Sequence, residues 1–134
     1  MISGLAHVSI AVPSLDEAAA RLKSLYGLVV GPVRTNEEQG VRVAYVELGN
    51  ARIELMEPAR PDSSVARFLE RNPKGGIHHF SLAVDSVDAA AEALRGRGAR
   101  VIGAPGARNV DGERIAFVHP QDFLGALVEL EEHK

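Results

Sequence analysis

The sequence predicts an α+β fold made of two tandem βαβββ modules related by a pseudo-twofold axis. Three observations carry that prediction. HVSIAVPSLDEAAARL (7–22) returns as HFSLAVDSVDAAAEAL (79–94), and at an offset of 72 nine of the 16 positions are identical. RIEL (52–55) returns as LVEL (127–130) at an offset of 75. In both copies a strand-like start, a capped helix and three further strand-like segments follow in the same order. A repeat of about 70 residues is too long for a solenoid unit, and 134 residues make one ordinary domain. A single domain over 1–134 is therefore expected, with module one at about 4–58, a connecting helix at about 62–72 and module two at about 76–132.

Residues 5–12 have strand propensity, with His7, Ser9 and Ala11 on one face and Val8, Ile10 and Val12 on the other. Ser14 and Glu17 then form a Ser-x-x-Glu capping box. The helix it opens runs to about Tyr26 with an apolar stripe of Ala18, Leu22, Leu25 and Tyr26, and Gly27 stops it. Strands are expected at 28–35, 41–48 and 51–57, the last two joined by the tight-hairpin dipeptide Gly49-Asn50. Asp62 or Ser63 can cap the connecting helix, whose apolar positions are Val65, Ala66, Phe68 and Leu69, and Asn72-Pro73-Lys74-Gly75-Gly76 breaks it. The second copy repeats the plan: a strand at 77–84, a helix from Ser86 to about Arg97 ended by Gly98, and strands near 99–103, 113–119 and 125–131. The glycine-rich segment 103–112 is expected to be the loosest loop.

Composition excludes several roles. With 15 basic against 18 acidic residues and no basic block, the net charge of −3 argues against nucleic acid, which is bound through a basic face. The absence of cysteine excludes disulfides and thiol nucleophiles. The first residues have no basic lead, and His7, Ser9 and Pro13 break their apolar run, so neither a signal peptide nor a membrane span is expected. A cytoplasmic protein is the default expectation.

Each module carries one histidine early in its first strand and one glutamate in its last: His7 with Glu54, and His79 with Glu129. Pleating turns each pair toward a common concave face, so two imidazoles and two carboxylates would meet about the pseudo-twofold. A lone strand histidine is usually a satisfied core residue and a lone glutamate a solvated one. Matched retention of all four buried polar groups favours a metal, since burial of such groups is costly. A nitrogen and oxygen donor set suits cobalt, manganese, nickel, iron or zinc, and in an octahedral shell it leaves two positions open to a chelating substrate. His78 points away from His79, and the repeat register selects His79. His119 either lines the pocket or hydrogen-bonds locally, and His133 is expected to fray with the terminus.

These motifs carry a resemblance. HVSIAVPSLDEAA (7–19), EQGVRV (38–43), VELGNARIELMEP (46–58), DSSVARFLERN (62–72), GGIHHFSLAVDSVDAA (75–90), IAFVHP (115–120) and GALVELEE (125–132) span nearly the whole chain. In this order they resemble the vicinal oxygen chelate superfamily and, within it, the methylmalonyl-CoA epimerases. The resemblance implies a vicinal oxygen chelate domain with a metal-containing concave cleft, and metal ligands at His7, Glu54, His79 and Glu129. It also implies one divalent ion, cobalt first, with manganese, nickel or zinc as alternatives. The implied partner is an acyl-CoA thioester, and a homodimer is expected, symmetric dimers being common.

The implied reaction is removal of the α-proton of methylmalonyl-CoA, or its ethylmalonyl homologue, and its return to the opposite face through a metal-stabilised enolate. Inversion requires an acid/base group on each face. Glu129 is the first candidate, although a coordinated carboxylate is a poor base because the cation stabilises its ionised form. Some relatives place a glutamate two residues after Gln-Gly-Val; here Val43 stands there. Glu47, on the same strand face as Val43, and Glu38 are the remaining candidates. Arg34, Lys74 and Arg108 could meet the CoA phosphates and read equally as solvated charges. Rival readings are a glyoxalase-type lyase, which shares the four-ligand chemistry, and a drug-sequestering protein of the same fold without metal.

Overall fold

Serine caps start the helices where the sequence places them. The computed structural model describes residues 1–133. Helix α1 (Leu15–Tyr26) begins at Ser14, whose side chain accepts the Glu17 N–H at 3.2 Å. It ends at Gly27, in the left-handed region at φ +68°, with the Gly27 and Leu28 amides closing back on Lys23 and Leu22. Helix α2 (Ser64–Arg71) is capped by Ser63 rather than Asp62, and α3 (Val87–Gly96) by Ser86.

The eight strands of the described residues are β1 (Ile2–Ala11), β2 (Arg34–Asn36), β3 (Val41–Glu47), β4 (Arg52–Pro58), β5 (Gly76–Val84), β6 (Val101–Ile102), β7 (Ile115–Val118) and β8 (Val128–Glu132). Several are shorter than expected, three of them for a visible local reason. Pro32 has no N–H to give a ladder, so 28–33 runs irregularly alongside β3, tied by the Gly31 amide to the Tyr45 carbonyl at 2.9 Å. Gly103 at φ +105° ends β6. The turn Pro120–Asp122, with Leu124 at φ 56° and Gly125 at φ 90°, delays β8 until Val128.

The chain divides into two compact units, and not at the sequence repeat. One holds residues 8–78; the other holds 1–7 together with 79 onward. Both β1 and β5 therefore pass through a boundary, because the strands that open the two modules contribute to both units. In the 8–78 unit the strand order is β2-β3-β4-β1, with β3 antiparallel to its neighbours. In the other the order is β1-β5-β8-β7-β6; β5 and β8 run parallel, and the β8–β7 and β7–β6 pairs are antiparallel.

Each unit packs its helix on equivalent sheet positions. In the 8–78 unit Leu15, Ala44 and Leu55 are buried with Val12, Ala18 and Leu22 against them. In the other, Val87, Ala90, Val84 and Leu130 are buried, with Leu94 and Ala116 alongside. These are the same places at the offsets of 72 and 75. The α1 stripe differs from expectation, because Leu15, Ala18 and Leu22 pack whereas Leu25 and Tyr26 are exposed. The last turn stands off the sheet and leaves a groove of about 540 Å³ lined by Ile10, Val12, Leu22, Leu25, Ile53 and Leu55.

One glycine between the repeats is indispensable. Gly75 sits at φ +89°, and a Cβ there would run into the Ala11 carbonyl oxygen. Both the left-handed backbone and the collision with main chain oppose any side chain. Gly75→Ala is expected to cost about 2 kcal/mol or more, read as a lower midpoint in urea unfolding. An unchanged midpoint would contradict this account of the turn.

Candidate metal centre

In the unit of residues 1–7 and 79 onward, three strands bring ionisable groups to one buried place. His7 lies on β1, His79 on β5 and Glu129 on β8, and they are 2%, 4% and 5% exposed. The parallel β5–β8 register sets Glu129 beside Ser81, and the antiparallel β7–β8 register sets it beside Phe117. The His79 ring packs edge-on against Phe117, with centroids 5.3 Å apart, and meets the His7 ring at 5.7 Å and 72°. These contacts turn both Nε2 atoms toward one carboxylate: His7 Nε2 is 3.5 Å from Glu129 Oε1, and His79 Nε2 is 3.8 Å from Glu129 Oε2.

Those separations decide what the cluster suits. A charge-assisted N–H···O bond closes to about 2.7–2.9 Å. Donors held about 2.0–2.2 Å from one ion, at tetrahedral or octahedral angles, stand about 3.0–3.5 Å from each other. At 3.5 Å His7 stands from Glu129 as two donors around one cation would, while His79 stands farther off, 3.8 Å from the other oxygen. Two imidazoles and a carboxylate, all buried, form a donor set for a divalent transition metal. By donor chemistry the residues fit such an ion.

Glu54 lies on β4 in the other unit, 7% exposed, and both its oxygens are engaged. Ser9 donates its hydroxyl to Oε1 at 2.6 Å, and Tyr45, across the β3–β4 ladder, donates to Oε2 at 2.9 Å. The Arg52 guanidinium lies over the Tyr45 ring at 3.6 Å from its centroid, fixing the phenol. Here the copies part. Ser9 and Ser81 correspond, but Tyr45 corresponds to Phe117, which has no hydroxyl to offer Glu129. Sequence reading passed over Ser9 and Tyr45, although the serine sits in the repeat on the histidine face.

Glu131 was also missed. It follows Glu129 by two on β8, shares its face, and is 2% exposed. Its Oε1 faces His7 Nδ1 at 3.4 Å and accepts from Asn109 Nδ2 at 3.0 Å, while its Oε2 meets His133 Nε2 at 2.5 Å. Burial pushes this carboxyl up, but the hydrogen bonds from His7 and His133 outweigh it and hold it at about 2. His133 is therefore no frayed residue: its amide bonds the Val84 carbonyl at 2.8 Å and its ring closes on Glu131. Segment 103–112 is likewise tied rather than loose, by Ala107, which is buried, and by the Asn109 side chain, which bonds Glu113 and Glu131.

The remaining candidates sit apart from such chemistry. Glu47 stands exposed at the end of β3, its carboxylate on Arg52 Nε at 3.0 Å. Val43 is buried and Glu38 is exposed. His78 packs on Phe68 of α2 with centroids 5.2 Å apart, and burial holds its imidazole below the usual range. This confirms the opposite orientation that the repeat register assigns it. His119 bonds locally, its Nδ1 accepting the Gln121 amide at 3.1 Å. Arg34 lies 5.9 Å from the Tyr45 ring centroid, Arg108 bonds the Gly112 carbonyl, and Lys74 is exposed. Among the described residues no helix is long and apolar enough to cross a membrane.

The chain is similar to known proteins over most of its length. The family model described as glyoxalase/bleomycin resistance protein/dioxygenase superfamily matches residues 6–117. The ethylmalonyl-CoA/methylmalonyl-CoA epimerase of Cereibacter sphaeroides is 44% identical over 133 residues, covering 98% of this chain and 99% of the relative. The crystal structure of methylmalonyl-CoA epimerase from Mycobacterium tuberculosis superposes with a TM-score of 0.91 at 34% identity, covering 99% of this chain and 89% of that one. A methylmalonyl-CoA epimerase in complex with methylmalonyl-CoA and NH4+ gives 0.91 at 36% identity, covering 98% and 95%. The fold is that of the vicinal oxygen chelates, and the chain belongs to the glyoxalase/bleomycin resistance protein/dioxygenase superfamily.

Proposed function

We propose that the chain is a metal-dependent epimerase that interconverts the two epimers of methylmalonyl-CoA. The observation that carries this reading is the buried His7–Glu129–His79 constellation, in a chain alike over nearly its whole length to proteins named for that activity. Ethylmalonyl-CoA, also named for the Cereibacter relative, is the companion substrate. His7, His79 and Glu129 hold one divalent ion, and Glu54 joins them on the strength of the repeat and the family resemblance. Cobalt is the first choice by resemblance, with manganese, nickel and zinc behind it. The enzyme works in the cytoplasm as a homodimer, the commonest symmetric assembly.

The reaction is difficult because removing the α-proton leaves charge on the thioester oxygen. A divalent ion at these ligands supplies Lewis-acid polarisation of that oxygen. The chain's own residues do the rest. The buried imidazoles and Phe117 keep the place dry, which strengthens every electrostatic contact in it. Glu129 is the first acid/base, taking the α-proton on one face. Glu54 suits a holding role, since the Ser9 and Tyr45 hydroxyls already use both its oxygens. For the opposite face the sequence offers Glu47, which must leave Arg52 to reach a substrate.

Proton–deuterium exchange at the α-carbon of methylmalonyl-CoA, followed by NMR in D2O with and without added cobalt, tests the reading. Exchange that depends on the enzyme and rises with the metal is expected. No exchange with metal bound would remove the epimerase and promote the glyoxalase-type lyase.

A further inference from the structure

We infer that Ser81 is a substrate-binding residue, its hydroxyl kept to donate to an anionic oxygen of the bound acyl group. The inference rests on the epimerase reading above and adds a residue to that site. Ser81 lies on β5 two positions after His79, so pleating puts both side chains on one face. The parallel β5–β8 register sets it beside Glu129, whose other ladder neighbour is Phe117. The row across the sheet is therefore a hydroxyl, a carboxylate and a ring, and the His79 imidazole faces the same carboxylate.

Ser81 is fully buried, and among the described residues its Oγ has no hydrogen-bond partner. The first copy shows what such a hydroxyl does when the protein uses it. Ser9, at the matching position and equally buried, donates to Glu54 at 2.6 Å. Ser81 makes no such bond to Glu129. A buried hydroxyl without a partner is costly, because it gives up water and gains nothing in return. Packing does not require it either, since Ala83, next on the same face, is buried with a methyl group alone. On the epimerase reading two anionic oxygens come to this place: those of the malonyl carboxylate, and the thioester oxygen once the α-proton leaves. Both only accept, so Ser81 donates. A donor already in position, with no protein bond to break, is what a developing negative charge requires.

The test measures the thermal midpoint, cobalt(II) affinity, and the methylmalonyl-CoA dissociation constant and kcat of the cobalt-loaded protein in wild type, Ser81→Ala and Ser9→Ala. Ser81→Ala is expected to keep or raise the midpoint, because it removes a hydroxyl with no protein partner, and to leave cobalt affinity unchanged. It should weaken substrate binding or turnover about 10- to 100-fold, the range for a hydrogen bond to a charged group. A loss in the dissociation constant assigns the contact to the carboxylate, and a loss in kcat alone assigns it to the thioester oxygen. Ser9→Ala is the contrast: it strips a buried carboxylate of a donor and should lower the midpoint. Three results would each overturn the inference. These are a midpoint lowered in Ser81→Ala as in Ser9→Ala, wild-type substrate binding and turnover in Ser81→Ala, or a loss that merely follows weaker cobalt binding. If wild type neither binds methylmalonyl-CoA nor exchanges its α-proton, the epimerase reading falls. The midpoint of Ser81→Ala then decides alone: unlowered, it leaves the hydroxyl open to another anionic ligand, and lowered, it overturns the inference.

Discussion

Glu129→Gln, loaded with metal, is expected to lose turnover by about a thousandfold or more while substrate affinity changes much less. The substitution keeps the side-chain volume and one oxygen donor in a place that is 5% exposed, so the fold and most of the ligation survive. What it removes is the ability to accept a proton, and a positioned general base contributes about 10²–10⁴ in rate. The proposed division of labour between the two buried glutamates rests on a difference in their surroundings. Hydroxyls of Ser9 and Tyr45 bond both oxygens of Glu54, whereas Phe117, in the place matching Tyr45, offers Glu129 none. The measurement is kcat beside the substrate dissociation constant for the metal-loaded variant. Unaltered turnover would sink the assignment of Glu129 as base.

His79→Ala is expected to abolish activity that added metal cannot restore, whereas in wild type a chelator removes activity and added cobalt brings it back. A directly bonded imidazole is worth more than the 10- to 100-fold in affinity that the outer partner of a ligand carries, so the variant should hold cobalt at least 100-fold more weakly. His78→Ala is the matched control. That ring lies on the other face of β5 against Phe68, and its loss should leave cobalt affinity unchanged. Equal weakening by the two substitutions, or full activity of chelator-treated wild type, would contradict the metal centre.

Local chemistry was legible wherever it depended on neighbours in sequence. Ser14, Ser63 and Ser86 cap helices because a hydroxyl three residues before an amide can satisfy it, whatever lies beyond. The α1 stripe was legible only in part, since periodicity says which side of a helix is apolar but not how far its last turn lies from the sheet. Strand ends were misjudged at 28–33 and 125–127, where proline and positive-φ turns overrode apolar propensity. His78 and His79 were separable because pleating alternates strictly.

The duplicated sequence by itself determined the βαβββ plan, the helix starts, and His7, Glu54, His79 and Glu129 as candidates, because those follow from periodicity and from a repeat retaining costly polar residues. Only the tertiary structure decided which nitrogen of His7 faces which carboxylate, that Glu131 stands behind that ring, and that Tyr45 and Ser9 occupy Glu54. Those relations join residues 9 to 124 positions apart, across strand ladders, or join copies that differ by one hydroxyl, as Tyr45 and Phe117 do. Strand register sets such pairings, and register arises from packing the whole sheet rather than from any local run of residues.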